Sequence, residues 1–246
     1  MKIAFAICIF VVAASSRNAV AASADEYANI HSFGIISAIG QSISLVKIGS
    51  TVFGNDKSTL STPDWGIDEL VVHKVAELLA PRFTVQPVVV DTAPLESDNS
   101  GLLRDGPDVK SFILGLPQGN GVDAYIVIRK SLVQDIWNGT NQYLWGLGIY
   151  RHHLIFGGNR DAVYAFYQVQ IVDAKTGNII DYGIPRTTDG SFLSAPQPWD
   201  SSDPANWAET PDAMTDQQKQ AIKAKLLALV DISLPRALKS AKLIPK

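Results

Sequence analysis

Apolar residues recur at helical spacing in one segment of the first third of the chain. The stripe comprises Ile67, Leu70, Val71, Val75, Leu78 and Leu79. Residues three and four positions apart share one face of an α-helix, so this pattern predicts a helix with one buried stripe. Thr62, Pro63 and Asp64 precede it in the order typical of a helix start, and Pro81 ends it.

Strand-like patterns lie on both sides of this helix. Residues 33–48 alternate loosely around Gly40, which suits one bent strand or two strands that meet near that glycine. Residues 83–90 form a further strand-like segment, and 108–116 a short helix. Residues 122–128 are mostly β-branched or aromatic, as in a central strand covered on both faces. This alternation of strands and helices predicts a parallel βαβ start.

The second half of the chain has a different pattern. Residues 144–156 and 162–173 are two long strand-like runs with a glycine-containing connection, and residues 178–182 follow the second run after a tight turn. Short connections that contain glycine are typical of antiparallel hairpins. We therefore expect one α/β (α+β) domain with a mixed β-sheet: parallel at its start, antiparallel later, with helices packed on the sheet.

A C-terminal helix is predicted over residues 214–241, with a kink or break at Pro235. Its apolar face comprises Ile222, Leu226, Leu229, Val230, Leu234 and Leu238. Between the hairpins and this helix lies an acidic loop over residues 185–213 that is rich in Pro and Trp. No linker divides the chain, so residues 22–246 form the predicted single domain.

The first residues have the pattern of a secretory signal peptide. Lys2 supplies a positive charge, residues 3–14 are an unbroken apolar run, and Ala19-Val20-Ala21 matches a signal peptidase site. We expect residues 1–21 to be removed, with Ala24 as a second cleavage position. The run is shorter than the roughly 20 residues that span a bilayer, so stable membrane insertion is not expected. The mature chain is expected to be periplasmic or secreted.

Composition excludes several classes of function. Cys8 is the only cysteine and lies within the predicted leader, so the mature chain has no disulfide, no thiolate nucleophile and no cysteine metal site. The formal net charge is −3, and the leader removes two basic residues, Lys2 and Arg17. An acidic chain lacks the basic face that nucleic acids require, so no nucleic-acid partner is expected.

Two segments suggest a family. One is the run Gly121-Val122-Asp123-Ala124-Tyr125-Ile126-Val127-Ile128 after a short helix, and the other is Val169–Ile180, which contains Asp173-Ala174-Lys175-Thr176-Gly177. Together they resemble the small α/β domain of CsgG-type secretion proteins, the TolB N-terminal domain and FlgO-like envelope lipoproteins. The resemblance covers about residues 32–182. It implies a mixed sheet flanked by helices and a non-catalytic envelope role, although this chain lacks a lipobox cysteine.

Two short segments are compatible with a serine hydrolase, a second class of function. Gly40-Gln41-Ser42 and Gly54-Asn55-Asp56 are similar to the serine and Gly-Asn-Asp blocks of SGNH-type esterases, but the chain has no Asp-x-x-His to supply the base. A serine without an adjacent base is a weak nucleophile. The sequence therefore predicts no catalytic residue.

No metal site or cofactor is expected either. His152 and His153 are neighbours on a predicted strand and face opposite sides, and His73 has only Glu69 nearby on its helix. A metal site needs three or four convergent ligands.

Trp199 and Trp207 are the candidate interaction residues. They lie in the long acidic loop, where large apolar rings argue against disorder. The rings either pin the loop onto the domain or contribute to a partner-binding surface. The sequence thus favours an exported, non-catalytic envelope accessory or assembly protein that binds an envelope protein or a second copy of itself. A hydrolase with residues that converge only in three dimensions and a small-ligand carrier are the alternatives.

Overall fold

A computed structural model describes residues 27–50, 52–96, 108–117, 121–135, 140, 142–154, 158–188 and 198–245. The strands are β1 Ser32–Ala38, β2 Ser42–Ile48, β3 Asp56–Ser61, β4 Thr84–Pro87, β5 Ala124–Lys130, β6 Leu132–Gln134, β7 Tyr143–Trp145, β8 Leu147–His153, β9 Asn159–Ala165, β10 Tyr167–Asp173, β11 Ile179–Gly183 and β12 Trp199–Ser201. The α-helices are α1 Ile67–Leu79, α2 Ala93–Glu96, α3 Val109–Leu114 and α4 Asp216–Ser240. The predicted signal peptide lies outside the described residues.

The first sheet has the strand order β11-β10-β5-β1-β4. β1 pairs in parallel with both β4 and β5, and these three strands are separated along the chain by helices. β10 pairs antiparallel with β5 and β11. The predicted mixed sheet, parallel at its start and antiparallel later, is therefore confirmed, and the chain is a single α+β domain.

The second sheet has the order β12-β9-β8-β2-β3. Two of its strands, β2 and β9, are adjacent along the chain to strands of the first sheet. The chain passes from β1 into β2 through residues 39–41, and from β9 into β10 through Phe166. The prediction of two strands that meet near Gly40 is thus confirmed. A Cβ at Gly40 would lie 2.8 Å from Asp68 Oδ2, so close packing accounts for the glycine at this bend.

The main core lies where α1 and α4 pack on the sheets. Ile67, Val71, Val75 and Leu79 of α1 are buried, and so are all six residues of the stripe predicted for α4. α4 begins with a capping box between Thr215 and Gln218. It is one helix over Asp216–Ser240 with Pro235 inside it, so the helix is not broken at Pro235, and a kink there stays a prediction.

The start of α1 differs from the prediction. Residues Pro63–Trp65 form a 3-10 turn, and the α-helix begins at Ile67 after Gly66, whose φ of 71° is left-handed. Thr62 does not cap the turn; its hydroxyl donates to the Gly40 carbonyl at 2.8 Å. A distant hydrogen bond to the β1–β2 bend has thus replaced the local cap that the sequence suggested.

Candidate functional site

The predicted interaction residues lie against the domain. Trp207 is 9% exposed, its indole N–H donates to Glu209 Oε1 at 3.2 Å, and the Arg151 guanidinium lies 5.0 Å from its ring centroid. Trp199 belongs to β12, pairs with Tyr164 and packs partly buried on a smaller apolar cluster. Both rings therefore anchor the described part of the loop. A role in binding a partner stays a prediction.

An open cleft of about 460 Å³ lies beside the parallel strands. Its lining comprises Gln41, Val90, Asp91, Thr92, Ala93 and Glu96. Gln41 follows the end of β1, and residues 90–96 follow the end of β4. In α/β sheets, ligands bind in the crevice outside the carboxyl ends of parallel strands. The cleft therefore occupies the position at which this fold class places its ligands.

A buried lysine contacts Glu96 of the cleft lining. Lys130 ends β5, and its side chain is only 4% exposed. Its ammonium group donates to Ser42 Oγ at 2.9 Å and lies 3.5 Å from Glu96 Oε2. Glu96 in turn accepts a hydrogen bond at Oε1 from the Thr92 hydroxyl at 3.2 Å. These contacts connect a serine, a lysine and a glutamate from three separate parts of the chain.

A close approach of the backbone shapes the path of the lysine stem. Gly146 has a left-handed φ of 64°, and a Cβ built on it would lie 2.7 Å from Lys130 Cδ. The residue between β7 and β8 must therefore be a glycine for two reasons, its conformation and the contact. The methylene stem is packed, and the charged end is buried with it in contact with Ser42 and Glu96.

The Asp68 carboxylate holds the bend that carries Gln41 and Ser42. Asp68 lies in the first turn of α1 and accepts hydrogen bonds from Ser37 Oγ at 2.6 Å, Ile39 N at 3.0 Å and Gly40 N at 3.0 Å. Hydrogen bonds from several donors to one carboxylate fix a loop strongly. The bend that brings Gln41 to the cleft wall is therefore fixed by hydrogen bonds.

Burial dominates the electrostatics of Glu96. The Glu96 pKa is raised above its ordinary value, first because burial disfavours the charged carboxylate and then because Asp68 is nearby; Lys130 and Thr92 act in the opposite direction. The Glu96 side chain is 12% exposed. A buried ion pair is costly unless its geometry compensates, so this glutamate is easier to protonate than one in water.

Sequence reasoning found only part of this cluster. Gly40-Gln41-Ser42 is similar to a serine block, but no sequence motif supplies a base for it. The structure brings Lys130 to Ser42 across 88 positions of sequence. The available signal was a lysine at the end of a nearly continuous apolar strand, since lysine is rarely buried unless it is paired. By contrast, Asp56 pairs with Lys47, at the opposite end of β2 from Ser42, so the two esterase-like blocks do not converge.

The remaining polar residues that the sequence singled out have structural partners. Asp123 accepts hydrogen bonds from His31 N, Ser32 N and Ser32 Oγ, which joins the starts of β5 and β1. Asp173 accepts from Lys175 N and Thr176 N in the predicted tight turn, and Gly177 has the expected positive φ of 67°. Within the described ranges, no group of three or more His, Cys, Asp or Glu side chains could hold a metal ion.

A second exposed feature is an apolar patch at the edge of the first sheet. Ile179, Ile180 and Tyr182 of β11 are 52%, 39% and 58% exposed. β11 pairs only with β10 among the described strands of this sheet. Clustered exposed apolar residues on an edge strand are typical of protein contacts.

Comparisons with family models, with curated proteins and with solved structures found no match. The resemblance to CsgG-type and FlgO-like domains therefore stays a prediction that rests on two short segments. Among the residues that the structure describes, no helix has the length and apolar character needed to cross a membrane.

Proposed function

We propose that the protein is an exported binding protein of the bacterial envelope that takes a small polar ligand into the cleft between Gln41 and Glu96. The position of the cleft carries this proposal, because an open cavity of about 460 Å³ adjoins the carboxyl ends of the parallel strands β1 and β4. This volume is within the range of about 300–1,000 Å³ typical of small-molecule sites. Among the functions that the sequence left open, a small-ligand carrier accounts for the cleft best.

The lining suggests which ligand groups fit. Gln41 offers an amide and Thr92 a hydroxyl, while Asp91 and Glu96 offer carboxylate oxygens. Val90 and Ala93 supply apolar surface between them. A ligand with hydroxyl or amide groups on a short carbon skeleton matches this mixture of donors, acceptors and apolar contacts.

A thermal-shift titration tests the binding. Small molecules extracted from the envelope are fractionated and added to the mature protein, and Tm is recorded for each fraction. A ligand at about ten times its Kd adds about 1.4 kcal/mol of stability. For a domain of this size, that raises Tm by about 3–6 °C.

Two tryptophan variants locate the site. Ala93 is exposed on the cleft wall, so Ala93→Trp fills the cleft and should abolish the shift in Tm. Ala228 is exposed on α4, away from the cleft lining, and Ala228→Trp should retain the shift. A shift that survives in Ala93→Trp would place the ligand elsewhere. Export is tested separately by sequencing the N-terminus of the purified protein, which should begin at Ala22, or at Asp25 for the second cleavage position.

The apolar patch on β11 favours a second candidate function, self-association. Ile179, Ile180 and Tyr182 offer an apolar surface, and a second copy presents the same surface in a twofold contact. Light scattering during size-exclusion chromatography should then show a dimer that Ile180→Lys dissociates. Ile232→Lys is the matched control, because Ile232 is an isoleucine of similar exposure, 47%, on α4. A monomer at all concentrations would refute this candidate.

A further inference from the structure

The contact between Lys130 and Ser42 has the geometry of a base and a nucleophile. The two side chains are 2.9 Å apart, and Glu96 lies on the other side of the ammonium group at 3.5 Å. We infer that Ser42 is an acylatable nucleophile, with Lys130 as its general base and Glu96 as the acceptor of the lysine proton. The expected substrate is an ester of a small carboxylic acid. This inference rests on the proposal that the cleft receives a ligand.

The base must first be made neutral, and Glu96 provides the means. The inferred step requires a proton of the Lys130 ammonium to pass to the Glu96 carboxylate before acylation, which leaves an amine and a carboxylic acid. Burial favours this neutral pair, because it removes two charges from an environment of low dielectric. The raised Glu96 pKa agrees with this direction. The combination of serine, lysine and glutamate serves acyl transfer on unrelated folds.

The acylation step then balances without a further reactant. Ser42 Oγ forms a bond to the ester carbonyl carbon as its proton passes to the Lys130 amine, and the carbonyl electron pair moves onto oxygen. When this intermediate collapses, the bond to the leaving alcohol breaks, and the lysine proton passes to the alkoxide. Water repeats the two transfers on the acyl-serine, which releases the carboxylic acid and free Ser42.

The surroundings of Ser42 fit this role. Ser42 is the first residue of β2, and hydrogen bonds donated by Ile39 N–H and Gly40 N–H to the Asp68 carboxylate fix the bend before it. A rigid frame holds a nucleophile in position better than a loose loop does. Gln41 precedes Ser42 and lines the cleft, and we assign its side-chain amide as the donor to the developing oxyanion.

A purely structural role explains the cluster less well. A buried ion pair is commonly no more stabilising than apolar residues of the same volume. Lys130 nevertheless brings its charge to the hydroxyl of Ser42, the residue that follows Gln41 of the cleft lining, although the lysine stem is packed. Perturbed, buried titratable groups beside a cleft are typical of reactive sites.

Labelling with a fluorophosphonate probe tests the inference. The folded mature protein is incubated with the probe, and adducts are assigned by intact-mass measurement and peptide mapping. One adduct is expected, on Ser42, and Ser42→Ala should lack it. Lys130→Met should slow labelling by about 100-fold or more, which is the usual contribution of a general base. Ser61 pairs with Ser42 across the β2–β3 hairpin and is exposed, so Ser61→Ala is the matched control and should label at the wild-type rate.

A second variant covers a loss of folding in Lys130→Met. Glu96→Gln keeps the shape of the side chain but cannot accept the lysine proton. Its labelling should be slow at pH 7 and recover at higher pH, where lysine loses its proton to solvent. A merely structural role would not move this pH profile.

The inference is overturned if folded wild-type protein is not labelled on Ser42 and is not acetylated there by p-nitrophenyl acetate. Equal labelling rates in the wild type and a folded Lys130→Met would also overturn it. Ligand binding is read separately, from the shift in Tm of Ser42→Ala. A retained shift without labelling leaves the binding proposal standing and removes only the nucleophile.

Discussion

Lys130 Nζ and Ser42 Oγ lie 2.9 Å apart, although their residues are 88 positions apart in the chain. The contact depends on the fold, because β5 and the β1–β2 bend are brought together only when β1 pairs with β5. Glu96 reaches the same ammonium group from α2, after the adjacent parallel strand β4. The cluster is thus a product of the parallel part of the sheet, and its stability can be tested through the residues that frame it.

The contact between Gly146 and Lys130 predicts a large effect of a single methyl group. Gly146→Ala places a Cβ 2.7 Å from Lys130 Cδ and also forces alanine into a left-handed conformation. Gly158→Ala is the matched control, because its φ of 84° is also left-handed but nothing lies within 4 Å of the new Cβ. We expect Gly158→Ala to cost about 1 kcal/mol in the free energy of unfolding, and Gly146→Ala about 2–4 kcal/mol.

Urea denaturation measures both variants. The difference between them isolates the clash with the lysine stem from the cost of the positive φ. Equal losses would show that the lysine stem moves away without cost, and that the packing around Lys130 is loose.

The hydrogen bonds to Asp68 predict that the β1–β2 bend depends on one carboxylate. Asp68→Ala removes the acceptor of three hydrogen bonds, and the Ile39 and Gly40 N–H groups lose their carboxylate partner. We expect a loss of about 3 kcal/mol in the free energy of unfolding. Glu69→Ala, an exposed position one residue later on α1, should change it by less than about 0.5 kcal/mol. Similar stabilities of the two variants would contradict this role for Asp68.

Asp123 predicts a loss of stability in acid. Its pKa is held below the ordinary value, chiefly by the hydrogen bond from His31 N, with further donation from Ser32 N–H and Oγ–H. An acid with a depressed folded-state pKa contributes stability above its unfolded-state pKa, and this contribution disappears as the pH falls through the folded-state pKa. The contribution should therefore be complete at pH 7 and decline below about pH 4.

Denaturation curves at pH 7 and pH 3 check this. Asp123→Asn should lose stability at pH 7 and show a smaller further loss in acid than the wild type. Ser32→Ala removes one donor but keeps the carboxylate, so its acid dependence should be intermediate. An unchanged pH dependence in Asp123→Asn would show that other carboxylates account for it.

The two tryptophans of the long loop should differ in their effect on stability. Trp207 is 9% exposed and contacts Arg151, so Trp207→Ala should cost about 3 kcal/mol or more. Trp199 is only half-buried, and Trp199→Ala should cost less. Retained stability together with loss of a captured envelope protein in Trp207→Ala would instead support the predicted interaction loop.

Local patterns allowed the secondary structure to be predicted where one physical effect dominated. The six apolar residues of α4 and the mixed pairing of the strands follow from side-chain periodicity and from short glycine-containing turns. The predicted start of α1 was wrong, because the Thr62 hydroxyl donates to the Gly40 carbonyl across the bend and does not cap its own helix. The break considered at Pro235 is absent, because the buried face of α4 holds the helix together on both sides of the proline.

The site could not be predicted in the same way. Ser42, Glu96 and Lys130 carry no spacing that relates them, because their contact depends on the order of strands in the sheet. The sequence has no histidine motif that would supply a base, and a lysine at the end of an apolar strand indicates a paired, buried charge without identifying its partner. The buried position of Trp207 likewise depends on Arg151 of β8, which is distant in sequence.

Native mass spectrometry of protein purified from its own envelope tests the central claim, that the cleft holds a ligand, most directly. The account predicts that the wild type and Ala228→Trp carry a bound small molecule of one defined mass, and that Ala93→Trp has only the mass of the chain. The same bound mass in all three proteins, or none in any of them, would contradict it.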